Sequence, residues 1–212
     1  MPVLVASRRR TQLSRDFPDA LILDVTSRGA EPWVRLSPFY PHGGIPVPGH
    51  SGRTSQSVEG IWQALKVFAA EPEDFAKLDI TTMKGIKRTT RRLGPPLGHR
   101  LDGRLLGYEE ARRLIYLPAY RWMLDHRAAA LVTRLRELAS GRTVVLLDYT
   151  TNGDVADLST PLSHAALIAQ RVPADVSGPY DPVHDRRDRL LRSGSADGHR
   201  RGQHGRARGR PG

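Results

Sequence analysis

Three polar side chains, Glu59, Gln63 and Lys66, recur at intervals of four and three within residues 57–70. On a helix that spacing sets a carboxylate, a carboxamide and an amine in line on one face. A carboxylate so held can steady a developing cation or move a proton. An amine can bind phosphate or, with its pKa lowered by burial, attack an aldehyde carbon. The same spacing also describes a solvated helix face, so both readings stand at this level. The other side of the stretch carries Val58, Ile61, Leu65 and Phe68, with Trp62 and Ala69 at its margin, a stripe expected to face a core. Ser57 stands at the expected N-cap, which puts Glu59 in the first turn beside unpaired N–H groups.

Two other segments carry candidate groups. Residues 84–100 form the densest basic run ahead of the chain's last third, and Arg88, Arg91 and Arg92 are suited to phosphate through charge-assisted hydrogen bonds. The competing reading is an exposed loop kept soluble by its charge. Asp148, Asn152, Asp154 and Asp157 follow an apolar strand, where α/β architectures often gather functional polar groups. They serve equally well as turn and capping residues. Trp33, Tyr40 and Trp62 suit base stacking or a core. His42 and His50 lack a second pair of ligands at metal-site spacing, so neither a metal nor a cofactor is expected. The absence of cysteine excludes disulfides and thiolate chemistry.

The elements that must position these groups follow from pattern. A strand at 20–26, a turn at 27–30 and a return strand at 31–36 predict a hairpin. Residues 37–52, with four prolines and four glycines, read as a loop. A short helix is predicted to start near 71–75, and helical pattern runs over 107–124 with a break or restart at Pro118. A helix at 127–139 closes at Gly141, the strand at 143–149 is apolar enough to be covered on both faces, and a last helix spans 161–169. These patterns predict an α+β fold with a small sheet and several helices over residues 20–171. Residues 1–19 are expected to be an N-terminal extension. From 172 to 212 the composition turns to Arg, Gly, Asp, His and Pro, which predicts a disordered basic tail.

The chain has 212 residues, 39% of them hydrophobic, and a net charge of +11. From Asp181 onward nine arginines face four aspartates, so a good part of the excess lies near the end. Such a tail suits non-specific nucleic-acid phosphates, or has no role. The opening apolar run is too short for a signal peptide and is followed by Arg8, Arg9 and Arg10, and no stretch approaches the roughly 20 apolar residues that span a bilayer. A cytoplasmic protein without membrane association is expected.

The segment Leu36-Ser37-Pro38-Phe39-Tyr40-Pro41, followed by Ser57-Val58-Glu59 and Gln63-Ala64-Leu65-Lys66, resembles the NADAR (YbiA-like) family, whose parts read "LSNFYP" and "SVEHxxQAxK" in the same order. The resemblance implies a compact α+β domain that cleaves an N-glycosidic bond between ribose phosphate or ADP-ribose and a base or amine, including ADP-ribosylated guanine. By that resemblance Glu59 and Lys66 are catalytic. Ser37, Phe39 and Gln63 match motif positions, and Arg112 or Arg113 takes the place of a later motif arginine. Tyr40, Trp62, Arg88, Arg91, Arg92, Asp148, Asn152 and Asp154 complete the expected substrate-binding set. Pro38 stands where the family has asparagine, Gly60 stands where it has histidine, and the late Trp-Gly pair is missing. The alternative is a non-catalytic nucleic-acid or nucleotide-binding protein that uses its basic loop and tail.

Overall fold

The most apolar run of the chain, Val144–Asp148 (β8), is buried at all five positions in the computed structural model of the protein, which describes residues 1–172. Its burial comes from two parallel neighbours, Val3–Ser7 (β1) on one side and Leu21–Asp24 (β2) on the other. A strand flanked on both edges and covered on both faces needs apolar residues throughout, as its sequence has. Val144 and Leu146 join the main core. Val145 and Leu147 pack with Ala6 and, from below, Leu13 and Phe17 around the short helix Leu13–Asp16 (α1). Residues 3–7 are therefore an integral edge strand of the sheet and not part of an extension. Alternation in β1 is weak because only Ala6 is fully buried, which hides the strand from pattern reading.

The hairpin expected over 20–36 does not form. β2 is present, but Trp33–Leu36 makes a 3₁₀ turn that buries Val34 and Leu36. Pro32 has no N–H for a ladder, and the turn is closed instead by the Val34 N–H on the Ala30 carbonyl. The Gly/Pro-rich loop that follows carries a two-residue strand, Ile45–Pro46 (β3), paired antiparallel with Thr54–Ser55 (β4).

The helix expected over 57–70 spans only Val58–Ala64 (α2), and all seven of its residues are buried. Ser57 caps it as expected, with its hydroxyl accepting from the Gly60 N–H at 3.0 Å. Beyond Leu65 the chain becomes a strand, Lys66–Phe68 (β5), because Val67 and Phe68 pair with Pro96–Leu101 (β6), itself paired with Arg104–Leu106 (β7). Sheet pairing overrides the helical pattern there. The helix predicted near 71–75 is a 3₁₀ turn at Phe75–Asp79, and the basic run contains the one-turn helix Thr90–Leu93 (α3).

Tyr108–Ala111 (α4) continues through a π turn at Arg112–Tyr116 into Leu117–His126 (α5), so Pro118 sits in the first turn of a continuing helix and does not end it. Ala129–Gly141 (α6) and His164–Arg171 (α7) match the last two predicted helices. The described residues form an α+β domain of helices around small sheets. Of the region expected to be a disordered tail, only Val172 is described, as a buried residue. Residues 173–212, and with them that expectation, lie outside the described residues. No helix among the described residues is long and apolar enough to cross a membrane.

If β1 is integral, deleting residues 1–10 uncovers one edge of β8 and the lower cluster. The melting midpoint is expected to fall by about 10 °C or more, or the cooperative transition to vanish. An unchanged melting curve would return the segment to an extension.

Candidate active site

The cleft grows from α2. Because every face of this helix is buried, the side that would be solvated on an ordinary surface helix instead lines a cavity of about 710 Å³ that holds Glu59, Gln63 and Lys66 together. Glu59 is 8% exposed and Gln63 4%. The Gln63 amide nitrogen donates to Glu59 Oε1 at 2.8 Å, while its oxygen accepts from Lys66 Nζ at 3.3 Å and from the Arg88 backbone N–H at 3.0 Å. Two donors on one oxygen fix which way the amide points. Glu59 Oε2 meets no donor among the described residues and borders the cleft.

Burial raises the Glu59 pKa above the ordinary carboxylate range, against the opposing pull of the Gln63 hydrogen bond and of Lys87, Lys66 and His164. Burial also lowers the Lys66 pKa, opposed by Glu59 and assisted by Lys87 and Arg88. Each shift favours the uncharged form, and so a group able to exchange a proton nearer neutral pH.

The loop ahead of α2 contributes through its backbone. The Pro38 carbonyl accepts from the Glu59 N–H at 2.8 Å, a bond that needs no side-chain amide at position 38. Ser37 is buried, with its hydroxyl accepting from the Phe39 N–H at 3.3 Å, and both residues line the cleft. Gly60 has its own explanation. A Cβ there would stand 2.8 Å from the Lys77 carbonyl and 2.8 Å from the Ser55 hydroxyl, so no larger residue fits without displacing the neighbouring turn.

Aromatic rings wall the cleft. Trp62 lies against His99 with centroids 3.7 Å apart and the rings tilted by 35°, and meets Tyr108 and Tyr116 edge-on at 5.6 and 5.8 Å. His99 is wholly enclosed with both ring nitrogens unpartnered, and burial together with the Lys66 charge pushes its pKa down to about 3, which keeps the ring neutral. Tyr116 stacks on Tyr120, whose hydroxyl donates to the Leu36 carbonyl at 2.8 Å. Burial raises the Tyr116 pKa well above its ordinary value, with Glu59 and Asp148 adding to the effect, so its phenol stays protonated at the cleft wall. Tyr108 and Tyr116 were not singled out from sequence. Their spacing of eight in a helical stretch reads as core, and only the π turn shows where Tyr116 points.

Several expected contacts are reassigned. Arg88 is buried, and its guanidinium donates to the carbonyls of Lys66 at 2.5 Å and Pro72 at 2.8 Å and pairs with Glu71 at 3.3 Å. It is a clamp for β5 and not a free phosphate ligand. Arg92 is also paired with Glu71, at 3.0 Å, and lies off the cleft. Arg112 is buried on the carbonyls of Val155, Asp157 and Thr160, at 3.1, 2.7 and 2.7 Å, where it closes the 155–160 loop. Asn152 and Asp154 serve that same loop: Asn152 donates to Asp157 and Thr160, Asp154 accepts from the Ala156 N–H, and neither lines the cleft. Tyr40 lies outside as well, against His42 and 3.4 Å from Glu31. Arg88 and Arg112, although engaged in these bonds, line the cleft, as does Arg91, joined by Lys87, whose ammonium stands 5.2 Å from the Phe39 ring. Lys87 belongs to the same basic run and was legible there as charge, but not as the member that turns inward.

Asp148 reaches the cleft with its carboxylate already saturated. It accepts from Ser163 Oγ at 2.8 Å, His164 Nδ1 at 2.9 Å, the Ala165 N–H at 3.3 Å and the Tyr149 N–H at 2.7 Å. His164 Nε2 faces the Val25 carbonyl at 2.9 Å, so both ring nitrogens meet acceptors, an arrangement that favours the protonated ring. Burial opposes that charge, but the hydrogen bond and charge of Asp148, with the Val25 carbonyl, outweigh it and raise the His164 pKa. Burial likewise opposes the Asp148 charge, and His164, Ser163 and the Tyr149 N–H lower its pKa in spite of it.

A model of DUF6939, a family of unknown function, matches residues 5–168, and the chain belongs to that family. No curated protein and no solved structure matches the chain.

Two outcomes test these assignments. Arg88→Lys keeps the charge but cannot span its acceptors, and denaturant unfolding is expected to show a loss of about 2–4 kcal/mol; unchanged stability would free Arg88 for a ligand. The second concerns pH. His164, with a raised folded pKa, contributes stability present below about pH 6.5 and lost as pH rises through that raised value, whereas Asp148 contributes stability present above about pH 4 and lost as pH falls through its depressed one. The advantage of wild type over Asp148→Asn, measured by denaturation, is therefore expected to be largest between roughly pH 4 and 6.5 and to shrink above that window. An advantage independent of pH would mean that the pair is not ionic.

Proposed function

We propose that this DUF6939 member is an N-glycosidase acting on a ribose-phosphate or ADP-ribose N-glycosidic bond, with Glu59 and Lys66 as its reactive groups and a NADAR-like fold around them. The observation that carries this reading is the enclosed trio in which Gln63 bridges the two reactive groups, donating to one Glu59 oxygen and accepting from the Lys66 ammonium, with the second Glu59 oxygen bare. Breaking an N-glycosidic bond builds positive charge on the sugar and negative charge on the leaving base. A carboxyl group near the anomeric carbon and a proton source near the base both lower that barrier.

Glu59, with its raised pKa, is suited to move the proton or to steady the cation. Lys66 presents an amine of lowered pKa to the same sugar. Trp62 and Phe39 supply flat apolar walls, and Lys87 and Arg91 supply cations for a phosphate at the rim. The order of the segments around Ser37 and Glu59 supports the same chemistry. A polyanion-binding role without catalysis draws less support, because two of the three arginines expected to serve it are bound to Glu71.

Incubation with ADP-ribosylated guanine nucleoside and with a ribose 5-phosphate N-glycoside, followed by chromatography of the freed base, tests the reading. Wild type is expected to release base, and Glu59→Gln to release it at least about 100-fold more slowly while still binding the product sugar. Full turnover by Glu59→Gln would remove the catalytic assignment.

A further inference from the structure

The three strands of the central sheet run parallel, so their carboxyl ends share one edge, the usual place for ligands in open α/β sheets. At this edge the residues that end or closely follow the strands fall into two sets. Those nearest the sheet are satisfied within the protein: Arg8 pairs with Asp24 at 2.7 Å, and Asp148 with His164 at 2.9 Å. Within three residues of its end, each strand is also followed by a residue that lines the cleft and whose side chain finds no partner among the described residues. These are Arg9, two after β1, Ser27, three after β2, and Tyr149, directly after β8. Tyr149 is 42% exposed, although it follows a strand buried at every position.

Together they make a cation, a hydroxyl and a flat ring with a polar tip, on one edge of the cavity that also contains Glu59. The same cavity is lined by further cations, Lys87 and Arg91. Its volume, about 710 Å³, lies in the upper half of the range for small-molecule sites, roughly 300–1,000 Å³, and exceeds the need of a single sugar phosphate.

We infer that Arg9, Ser27 and Tyr149 form a second anion-and-ring subsite, which takes the part of the substrate beyond the sugar held at Glu59. This inference rests on the glycosidase reading and deepens it: the preferred substrate carries a second phosphate and a second flat heterocycle. Arg9 forks onto the far phosphate, Ser27 donates to it, and the heterocycle lies on the exposed Tyr149 ring. The segment read from sequence as an extension thus supplies a specificity residue.

Calorimetric titration of the full chain with ribose 5-phosphate and with ADP-ribose, beside an Arg9→Ala/Tyr149→Ala double variant of unchanged melting temperature, decides it. Both replaced side chains project from the surface edge, so folding is expected to survive. Wild type is expected to bind ADP-ribose at least about tenfold more tightly than ribose 5-phosphate, and the double variant to lose that difference while holding ribose 5-phosphate within about twofold. Equal loss for both ligands, or undiminished ADP-ribose affinity, overturns the subsite alone. Binding of neither ligand by wild type overturns the glycosidase reading and the subsite with it.

Discussion

The buried carboxamide of Gln63 is the contact on which the site depends. Its oxygen takes one donor from Lys66 and one from the backbone of Arg88, and its nitrogen has to be satisfied by Glu59. A buried amide left half-satisfied costs more than its hydrogen bonds return, so the orientation is enforced and not merely allowed. Helix α2, strand β5 and the start of the basic run are thereby locked into one arrangement. Arg88 completes the lock from outside through the Lys66 and Pro72 carbonyls. The cleft is rigid because its polar atoms leave the protein only one way to close.

A similar economy governs the floor. Asp148 ends the central strand in a place where a bare carboxylate would be both costly and chemically disruptive, and four donors, the His164 ring among them, saturate it. The consequence is a division of labour between two buried acids. Asp148 is held ionised by its donors, and Glu59, with a single amide donor, is pushed toward its neutral form. Environment alone sets the two acids apart, one held charged and the other driven toward its neutral form.

The sequence carried the trio and the central strand, and for physical reasons it hid much else. Glu59, Gln63 and Lys66 are brought together as their spacing implies, even though the helix ends before Lys66. Leu65 keeps helical backbone angles, so Lys66 leaves at the expected place before the chain turns into β5. The strand over 143–149 was legible because burial on both faces demands an unbroken apolar run. Its partner β1 was not, since an edge strand with one fully buried residue has no such signature. Charge in the basic run was visible, but not its distribution: local pattern cannot show that Arg88 meets the Lys66 carbonyl across 22 residues or that Arg112 closes a loop more than 40 residues away. Position 60 is glycine because of the close approach of the Lys77 turn, while position 38 meets Glu59 through a backbone carbonyl that does not depend on its side chain.

The opposed shifts of Glu59 and Lys66 have a common origin, and that origin constrains how the site works. Both groups lie in one desolvated space, so each loses hydration, and each pulls the other back toward its charged form. A ligand that displaces the remaining water strengthens both effects together, because lowering the local dielectric raises the cost of an isolated charge and the attraction within a pair. The balance is then set by what the ligand brings. An anion at the Lys87 and Arg91 rim offsets the cations that now lower the Glu59 pKa, and so moves Glu59 further toward the neutral acid. A cation developing on a sugar acts the other way and draws the proton off. On the glycosidase reading proposed above, binding of a phosphate and development of charge at the sugar push the same carboxyl in opposite directions in sequence, as a group that must hold a proton first and release it later requires.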